Sequence, residues 1–466
     1  MQIKIPFASQ SYRSRSIPLS AQRVVNLYAE LQTPSSKEIV ALFGTPGLPL
    51  HATLGNGPIR GMIGMAGSLF VVSGSRLFKL ESNGDSTTLG DLPGTAMVQM
   101  ETNGTQIAIL TGTEADNLFI ATATTLTQVT DVDFPGATSV VYLDGYFVFT
   151  RTDTDQFFIS AINDGTAFDA LEFASAEGAP DNLVGASVDH RELWLFGEET
   201  TEIWYNSGET DFPFERASGA YIERGCIARD SIVNIDNSLM WVGDDKIVYR
   251  ADGYSPRKVS THAVEAALEK AGSLGDVVAF TYTQEGHAFY VLKKPDTFTF
   301  VYDVATDLWH ERESHNRQDY RVSTFAEAFK LLLVGDDSNG NIYRLDLNSF
   351  TENGETIVAS ATAPPLFADS ETAIANNLII DFEHGEAMTT GQGSDPQAML
   401  DWSDDGGKTW VNEKWRSIGR KGQYPARAKW DRMGQFRQRT YRVKVSDPVK
   451  RVISSIAYAD IEGAGL

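Results

Sequence analysis

Two stretches of the sequence carry the same pattern: NSLMWVGDDKIVYR at residues 237–250 and FKLLLVGDDSNGNIYR at residues 329–344. In each, a short apolar run ends at a Gly-Asp-Asp turn, and a second short run follows that ends in Tyr-Arg. Short apolar or alternating runs bounded by Gly, Asp and Asn are typical of β-strands joined by tight turns. The pattern therefore predicts pairs of strands, and its recurrence indicates a repeated structural unit.

The pattern occurs seven times along the chain at a nearly regular spacing. Equivalent apolar positions in the copies are Leu69, Ile107, Tyr146, Leu193, Leu239, Ala288 and Leu331. Successive positions lie 38, 39, 47, 46, 49 and 43 residues apart. A period of about 45 residues holds four strands of about five residues with their turns, which is the length of a β-propeller blade. We therefore expect an all-β protein with a propeller of about six or seven blades; a β-sandwich of consecutive hairpins is the alternative.

The regular repeat occupies residues 51–354 and is flanked by segments of different character. Residues 1–50 are rich in Ser, Arg and Pro, and we expect an extended N-terminal arm that lies on the surface or reaches a neighbouring subunit. Residues 355–466 lose the repeat, and we expect a separate β-sandwich-like module with a basic face. One helix is predicted over residues 262–270, capped by Ser260 or Thr261 and inserted between the fifth and sixth copies.

The net charge is strongly negative, since 39 Lys and Arg residues against 62 Asp and Glu residues give −23. This charge disfavours general binding to nucleic acid, because such binding needs a basic face on the protein. The single cysteine, Cys226, excludes an intrachain disulfide and a multi-cysteine zinc site, and we expect it to be buried. The N-terminus lacks a signal-peptide apolar region and no run approaches about 18 apolar residues, so no membrane span is expected.

The charge is unevenly distributed along the chain. Residues 406–451 contain 14 basic and three acidic residues, so this segment is +11 and the remainder is −34. Aromatic residues alternate with the basic ones, a composition found at protein interfaces and on nucleic-acid-binding surfaces. The candidate interface residues are Arg416, Arg420, Lys421, Arg427, Trp430, Arg432, Arg437 and Arg439. Three interpretations stay open: a solvated sheet face, a docking surface for an acidic protein such as a neighbouring copy, or a nucleic-acid contact.

The most specific short motif is an Asp-box, SDDGGKTW at residues 403–410. Its pattern S-x-D-x-G-x-T-W is met by Ser403, Asp405, Gly407, Thr409 and Trp410. In such a motif the Ser, Asp and Thr side chains bond the turn backbone, Gly supplies a positive φ and Trp packs the hairpin down. We therefore expect a structural turn rather than an active site.

No catalytic, cofactor-binding or metal-binding residue is predicted. Acid pairs such as Glu198–Glu199 and Asp244–Asp245 are expected by chance among 62 acids, so they carry little information about glycoside hydrolysis. His310 and His315 lack partners at a recognised metal-ligand spacing. No phosphate-binding glycine loop or nucleophile elbow stands between a strand and a helix. The expectation is a protein that is not an enzyme.

Several segments, taken in their order along the chain, resemble one protein family. They are VNLYAE at residues 25–30, GTPGL at 44–48, TEIWYNSG at 201–208, FPFER at 212–216, GCIA at 225–228 and SPRKVSTHAVE at 255–265. The family is that of the packaged DNA stabilisation proteins of short-tailed bacteriophages, the tail hub or nozzle below the portal. The resemblance covers roughly residues 17–320, and the C-terminal part is similar only loosely.

The resemblance implies a structural protein of the virion tail with no catalytic residues. Family members form a homohexameric ring below the portal and its adaptor, close the DNA exit channel with a needle or plug, and anchor tailspikes or fibres. The protein would reside in the host cytoplasm during assembly. Packaged double-stranded DNA would pass through the lumen without sequence-specific binding, because an acidic lumen does not adsorb DNA and lets it slide out during ejection.

Two other functions are compatible with a propeller. A sialidase-like propeller glycosidase acting on host surface glycans predicts a cluster of Arg, Glu and Tyr at one mouth of the ring. A cellular propeller that serves as an interaction module is the third possibility. Oligomeric state discriminates among them, because a tail hub forms rings.

Overall fold

The computed structural model of the protein describes residues 2–7, 10–32, 40–112, 116–179, 181–210, 212–368, 371–383, 385–424, 426–454 and 456–463. In these ranges the regular structure is β-strand, apart from one α-helix, His262–Ala271, and one 3-10 turn, Arg229–Ser231. The strands form a β-propeller and a β-sandwich. The predicted all-β class is therefore confirmed.

The propeller contains seven four-stranded antiparallel blades. Each blade is given from its inner to its outer strand. Blade 1 contains Ile59–Met65, Ser68–Ser73, Arg76–Leu80 and Ser86–Asp91, and blade 2 contains Gln99–Thr102, Ile107–Leu110, Leu118–Ala121 and Leu126–Gln128. Blade 3 contains Ala137–Leu143, Tyr146–Arg151, Gln156–Ala161 and Asp164–Ser175. Blade 4 contains Leu183–Asp189, Glu192–Gly197, Thr201–Asn206 and Phe214–Ile222, and blade 5 contains Val233–Ile235, Ser238–Val242, Val248–Asp252 and Ser255–Lys258. Blade 6 contains Val278–Gln284, His287–Lys294, Phe298–Asp303 and Leu308–Glu311. Blade 7 contains Val322–Ala328, Leu331–Asp336, Asn341–Arg344 and Leu50–Thr53. The inner strands of successive blades touch around the ring, and that of blade 7 touches that of blade 1.

The seven repeat positions predicted from the sequence all lie on the second strand of a blade, from Leu69 in blade 1 to Leu331 in blade 7. The expected propeller is confirmed, and its blade count is seven. The spacing revealed the fold because each blade contributes one buried second strand, whose residues in blade 1, for example, are buried along its whole length. The rival sandwich of consecutive hairpins is not formed in this region.

The ring is closed by a strand that precedes blade 1 in the sequence. Leu50–Thr53 forms the outer strand of blade 7 and pairs antiparallel with Asn341–Arg344, with Ala52 opposite Ile342. The first and last blades also share a buried apolar cluster, in which Ile59 and Leu333 take part. Backbone hydrogen bonds and apolar burial therefore hold the two ends of the propeller together.

The predicted helix is confirmed at the expected place. The Thr261 hydroxyl accepts a hydrogen bond from the Val264 N–H at 3.5 Å, and Gly272 ends the helix with φ of 77°. Val264 and Leu268 are fully buried in the layer between blades 5 and 6. The helix therefore fills a gap between two blades with its apolar side.

The C-terminal module is a β-sandwich. One sheet contains, in order, Gln2–Pro6, Ile456–Gly463, Ala373–Ile380 and Ala428–Phe436. The other contains, in order, Val24–Val25, Ala359–Thr362, Gln438–Val445, Gln397–Ser403 and Lys414–Ser417, with Leu366–Phe367 also paired to Gln438–Val445. Smaller sheets join Leu27–Leu31, Val40–Gly44 and Val452–Ser454; Tyr12–Arg13 and Ala21–Gln22; and Thr351–Glu352 and Glu355–Thr356.

The N-terminal segment differs from the expected extended arm, which was placed on the surface or in a neighbouring subunit. Its described residues form strands that are built into the sandwich and into blade 7, and Phe7, Leu27 and Leu42 are fully buried. The strands are only two to five residues long, and Gln2 pairs opposite Asp460 at the other end of the chain. No periodic signal arises from such short segments, which explains why the sequence did not predict them.

The N-terminal strands also fasten the sandwich to the propeller. Val25 pairs with Glu311 at the outer edge of blade 6 and with Ser360 of the sandwich, so one continuous sheet crosses the boundary. The Arg23 guanidinium is paired with the Glu311 and Glu313 carboxylates. The open edge of blade 6 is thereby covered, which removes a site for unwanted strand pairing.

The tight turns between the first and second strands provide a direct test of the fold. In blade 7 the turn residues Phe329 and Lys330 have φ of 56° and 59°, a region that costs a non-glycine residue about 1 kcal/mol or more. In blade 6 the equivalent second position is Gly286, with φ of 81° and open space around it. We expect Lys330→Gly to stabilise the protein by about 1 kcal/mol and Gly286→Ala to destabilise it by a similar amount. Urea unfolding of both variants measures these changes, and effects of the same sign in both would contradict this turn geometry.

Candidate functional site

The candidate interface residues of the basic segment fall into two groups. Arg416, Arg420, Lys421, Arg427, Arg432 and Arg437 are exposed, whereas Trp430 and Arg439 are buried at 0% and 1% exposure. The structure therefore excludes Trp430 and Arg439 from any surface contact. Sequence spacing alone did not separate the two groups, because a β-bulge in Ala428–Phe436 interrupts the alternation of buried and exposed residues there.

Arg439 is a core residue of the sandwich. Its guanidinium forms a two-pronged ion pair with Asp404, with both N–O distances at 2.7 Å. The same group lies 4.6 Å from the centre of the Phe436 ring and 5.1 Å from that of Trp402. A buried charge is tolerated here because the carboxylate and the aromatic faces replace its hydration. Asp404 was not singled out in the sequence, although it is one of the variable positions inside the Asp-box.

The exposed bases gather where the two sheets of the sandwich end. Lys414–Ser417 is the last strand of one sheet and Ala428–Phe436 is the last strand of the other. The two strands are joined side by side by the Arg416 Nε, which donates to the Lys429 carbonyl at 2.8 Å, and by the Trp430 indole, which donates to the Lys414 carbonyl at 2.7 Å. We call this pair of edge strands, residues 414–417 and 428–436, the basic edge.

Some of the exposed bases are paired within the chain. Arg420 forms an ion pair with Asp395 at 3.0 Å and Arg427 one with Asp381 at 3.2 Å. Lys421 donates to the Thr389 hydroxyl. For Arg432 and Arg437 no ion pair with another described residue occurs. These two arginines are therefore the members of the candidate set best placed to meet a partner.

The Asp-box has the geometry of a structural turn. The Asp405 carboxylate accepts hydrogen bonds from the Thr409 hydroxyl at 2.6 Å and from the backbone N–H groups of Lys408 and Thr409 at 2.9 Å. The Ser403 hydroxyl accepts the Gly407 N–H at 2.7 Å. The bonds to Thr409 hold the pKa of the Asp405 carboxyl well below its usual range. The Arg442 guanidinium lies 3.8 Å from the centre of the Trp410 ring, which fixes the end of the motif.

The two glycines of the Asp-box allow the N-terminal segment to pack closely against the turn. A Cβ atom on Gly406 would lie 2.4 Å from the Pro18 Cα, and one on Gly407 would lie 2.8 Å from the Ala21 Cβ. The Gln438 amide also donates to the Pro18 carbonyl at 2.7 Å. The motif therefore holds residues near the chain start against the sandwich, a role that its sequence alone did not reveal.

The central channel of the propeller is blocked by a polar network that the sequence did not reveal. Asp230, in the 3-10 turn before blade 5, accepts a hydrogen bond at 3.0 Å from the side chain of Gln99 on the inner strand of blade 2. Gln99 also accepts the Ser139 hydroxyl of blade 3 at 3.1 Å, and Arg229 donates to the Thr138 carbonyl at 2.7 Å. Blades 2 and 5 lie across the ring from each other, so the Gln99–Asp230 contact closes the channel at this level. Isolated polar residues on short inner strands give no sequence signal for such a network.

His310 and Cys226, two side chains of types that often take part in catalysis, are both buried. The described residues contain no group of three or more His, Cys, Asp or Glu side chains that could hold a metal ion. His310 is buried, and burial lowers its pKa to about 3. Cys226 is also buried, and burial raises the pKa of its thiol to about 12, so it is not a reactive nucleophile at neutral pH.

Of the acid pairs considered for glycoside hydrolysis, Asp244–Asp245 is engaged in hydrogen bonds within blade 5 and its neighbouring turn, whereas Glu198 and Glu199 are exposed. Asp244 accepts the Gly225 N–H at 3.1 Å, and Asp245 accepts the Tyr249 hydroxyl at 2.7 Å. A cavity of about 660 Å³ opens between the turns of blades 4 and 5, and there Asp236 is paired with Arg250 at 2.9 Å. Within the described ranges, no helix is long and apolar enough to cross a bilayer.

Comparison with protein families agrees with this architecture. A model of the family described as bacteriophage P22 Gp10, beta-propeller, matches residues 2–350, and a model described as bacteriophage P22 Gp10, beta-sandwich, matches residues 360–462. The chain belongs to the bacteriophage P22 Gp10 family. The suspected resemblance is thus confirmed, and membership in the Gp10 family identifies the chain as a structural component of a phage virion.

Other comparisons add little to Gp10 membership. No curated protein matches the chain. Among solved structures, the chain is similar to the computationally designed Ika8 protein at 10% identity, covering 65% of this chain and 100% of that one with a TM-score of 0.40. A chain of the mitotic checkpoint complex is 11% identical, and the match covers 68% of this chain and 98% of that one with a TM-score of 0.44. Streptogramin B lyase is 10% identical, and the match covers 64% of this chain and 95% of that one with a TM-score of 0.41. Similarity at this level carries no information about activity.

The placement of Arg439 can be tested against that of its exposed neighbour. Arg439→Ala leaves a cavity beside the Trp402 and Phe436 rings and removes the donor to the Met433 carbonyl, so we expect a loss of about 2–4 kcal/mol in the free energy of unfolding of the sandwich. Arg437→Ala, the matched control on the surface, should change stability by less than about 0.5 kcal/mol. Guanidinium unfolding of both variants provides the measurement. Equal stability of the two variants would show that Arg439 is not a core residue.

A second test concerns Glu101, two residues after Gln99 on the same inner strand and on the same side of it. Burial raises its pKa to about 7, against about 4.3 for a free Glu, so between these values the folded state holds a proton that the unfolded state has lost. Stability therefore falls as pH rises through this window. Glu101→Gln removes the cost of ionising this buried carboxyl. We therefore expect the free energy of unfolding of the variant, relative to that of wild type, to be higher at pH 8 than at pH 5 by about 1–3 kcal/mol.

Chemical unfolding at the two pH values measures the effect of Glu101→Gln. Glu327→Gln is the control, because Glu327 is exposed on the inner strand of blade 7. Its effect should stay within about 0.5 kcal/mol at both pH values. A Glu101→Gln effect that does not change with pH would argue against a buried, protonated carboxyl at this position.

Proposed function

We propose that this protein is the tail hub, or nozzle, of a short-tailed phage. In this role several copies, six by resemblance to the family, form a ring below the portal and adaptor proteins. The ring closes the DNA exit channel, retains the packaged genome and anchors a needle, spike or fibre protein. The observation that carries the proposal is the match of the two Gp10 family models, in order, to almost the whole chain.

The architecture supports a structural role. A propeller closed by a strand from outside the repeat, and joined to a sandwich through one continuous sheet, is a rigid body with few open edges. A rigid subunit suits an assembly that must hold pressurised DNA.

The blocked propeller channel bears on the path of the genome. The Gln99–Asp230 contact leaves no room for duplex DNA, whose major groove alone is about 12 Å wide. DNA would therefore run through a lumen enclosed by several subunits and not through the propeller of any one of them. An overall acidic surface would keep the genome from adhering to that lumen.

The test uses phage particles assembled with and without this protein. We expect particles that lack it to package DNA and then lose it, so that the genome becomes sensitive to nuclease, whereas added purified protein should restore protection. Electron microscopy of portal complexes mixed with the protein should show a ring of added density below the adaptor. Full genome retention without the protein, together with a monomer that binds no portal complex, would overturn the proposal; cleavage of surface glycans would favour the glycosidase.

A further inference from the structure

One sector of the propeller carries a large net negative charge. Residues 81–190 contain 17 Asp and Glu residues and a single basic residue, Arg151, which gives a net charge of −16. This range covers all of blades 2 and 3, the outer strand of blade 1 and the inner strand of blade 4. We call blades 2 and 3 the acidic pole.

The basic edge lies at the opposite end of the molecule. In a ring of seven blades, blades 2 and 3 are the two farthest from blade 6. The sandwich continues the sheet of blade 6 outward, and Lys414–Ser417 is its last strand, four strands beyond Val24–Val25. At about 4.8 Å per strand, five strand spacings place Lys414–Ser417 roughly 24 Å from the outer strand of blade 6 along the sheet. Each copy of the protein therefore has a negative end and a positive end.

The acidic pole carries exposed apolar side chains beside its acids. In the outer strand of blade 3, Phe168 pairs opposite Ser160 and Phe173 opposite Phe158, so that residues 169–172 form an outward bulge. Leu171 within it is 82% exposed, and Val132 in the preceding loop is 95% exposed. Asp131 of that loop accepts the Phe168 N–H at 3.0 Å and fixes the loop beside the strand.

The basic edge presents a complementary set of side chains. Trp415 is 54% exposed between Lys414 and Arg416. Arg432 lies in a bulge of Ala428–Phe436 with φ of 58°, which turns its exposed side chain out of the regular strand pattern. Trp and Arg are the residues that most often dominate the binding energy of protein interfaces.

We infer that the basic edge of one copy docks against the outer edge of blade 3 in the next copy, with Trp415 and Arg432 meeting Leu171 and the acids around it. The inference rests on the proposed ring and names the surfaces that build it. Two different surfaces on each subunit produce a head-to-tail contact, which closes into a ring when the rotation between copies is suitable.

Electrostatics favours this pairing over the alternatives. Two acidic poles repel each other, as do two basic edges, so a symmetric dimer through either surface is disfavoured. In the monomer, burial and the neighbouring Asp169 raise the pKa of Glu172, and none of the described residues forms an ion pair with this carboxylate. An arginine from a second copy would form such a pair. Nucleic acid could occupy the basic edge as well, and binding of a DNA duplex there is one outcome of the test.

A charge-reversal experiment distinguishes these possibilities. Arg432→Glu with Arg437→Glu reverses the charge in the basic edge and directly after it, and Asp133→Lys with Glu172→Lys reverses the acidic pole. We expect each double variant to weaken self-association at least tenfold in sedimentation analysis at low salt, and a mixture of the two variants to associate again as alternating pairs. Wild-type association should weaken as salt increases. The control is Glu223→Lys with Asp252→Lys, which makes the same charge change as the acidic-pole variant on exposed residues of blades 4 and 5. It should leave association unchanged.

The outcomes separate this inference from the hub proposal. Rings of wild type on the portal complex that persist in both reversed variants would overturn the interface and leave the hub role standing. A wild-type chain that stays monomeric in solution and on the portal complex would overturn both. If reversal of the basic edge abolishes binding of a DNA duplex and leaves self-association intact, the basic edge is a nucleic-acid surface and the inference is wrong.

Discussion

The backbone ladder between Leu50–Thr53 and Asn341–Arg344 is the interaction on which the architecture depends. A propeller blade buries its faces only if the ring closes, and here the closing strand comes from the segment before blade 1. That same segment continues backward into the sandwich, where its shorter strands pair with residues near the end of the chain. Ring closure and assembly of the sandwich are thus two results of one path of the backbone, which makes the two modules a single mechanical unit.

Which basic residues of the segment 406–451 are buried and which are exposed depends on their ion-pair partners and not on the composition of the segment. Arg439 and Arg442 are held by Asp404 and Asp401, and both lie against aromatic rings. These contacts stabilise the sandwich and use up part of the positive charge that the sequence shows. Part of the exposed remainder lies on two edge strands, where charged side chains also discourage pairing with foreign strands. A basic composition can therefore serve the interior and the surface of one small module at the same time.

The sequence predicted the parts of the fold that depend on local periodicity and missed those that depend on distant pairing. Seven buried second strands recur at similar spacing, and Thr261 with Gly272 mark the helix ends, so these features could be identified. The two-residue strand Val24–Val25 has no local signal, because its partners Glu311 and Ser360 are about 290 and 340 residues away. Of the candidate site, the Asp-box turn could be anticipated from its residues, but the burial of Trp430 and the Gln99–Asp230 contact could not, since both depend on the tertiary structure.

The pairing of Gln2–Pro6 with Ile456–Gly463 has a consequence for how the protein is made. Gln2–Pro6 has no partner until Ile456–Gly463, about 450 residues later in the chain, has been synthesised, and at about 5–20 residues per second this takes roughly 25–90 s. Contacts of such long sequence separation also form slowly. The blades between them can collapse earlier, but the sheet that contains both strands is completed only after Ile456–Gly463 has left the ribosome. The order of synthesis itself therefore makes this sheet one of the last parts of the fold to form.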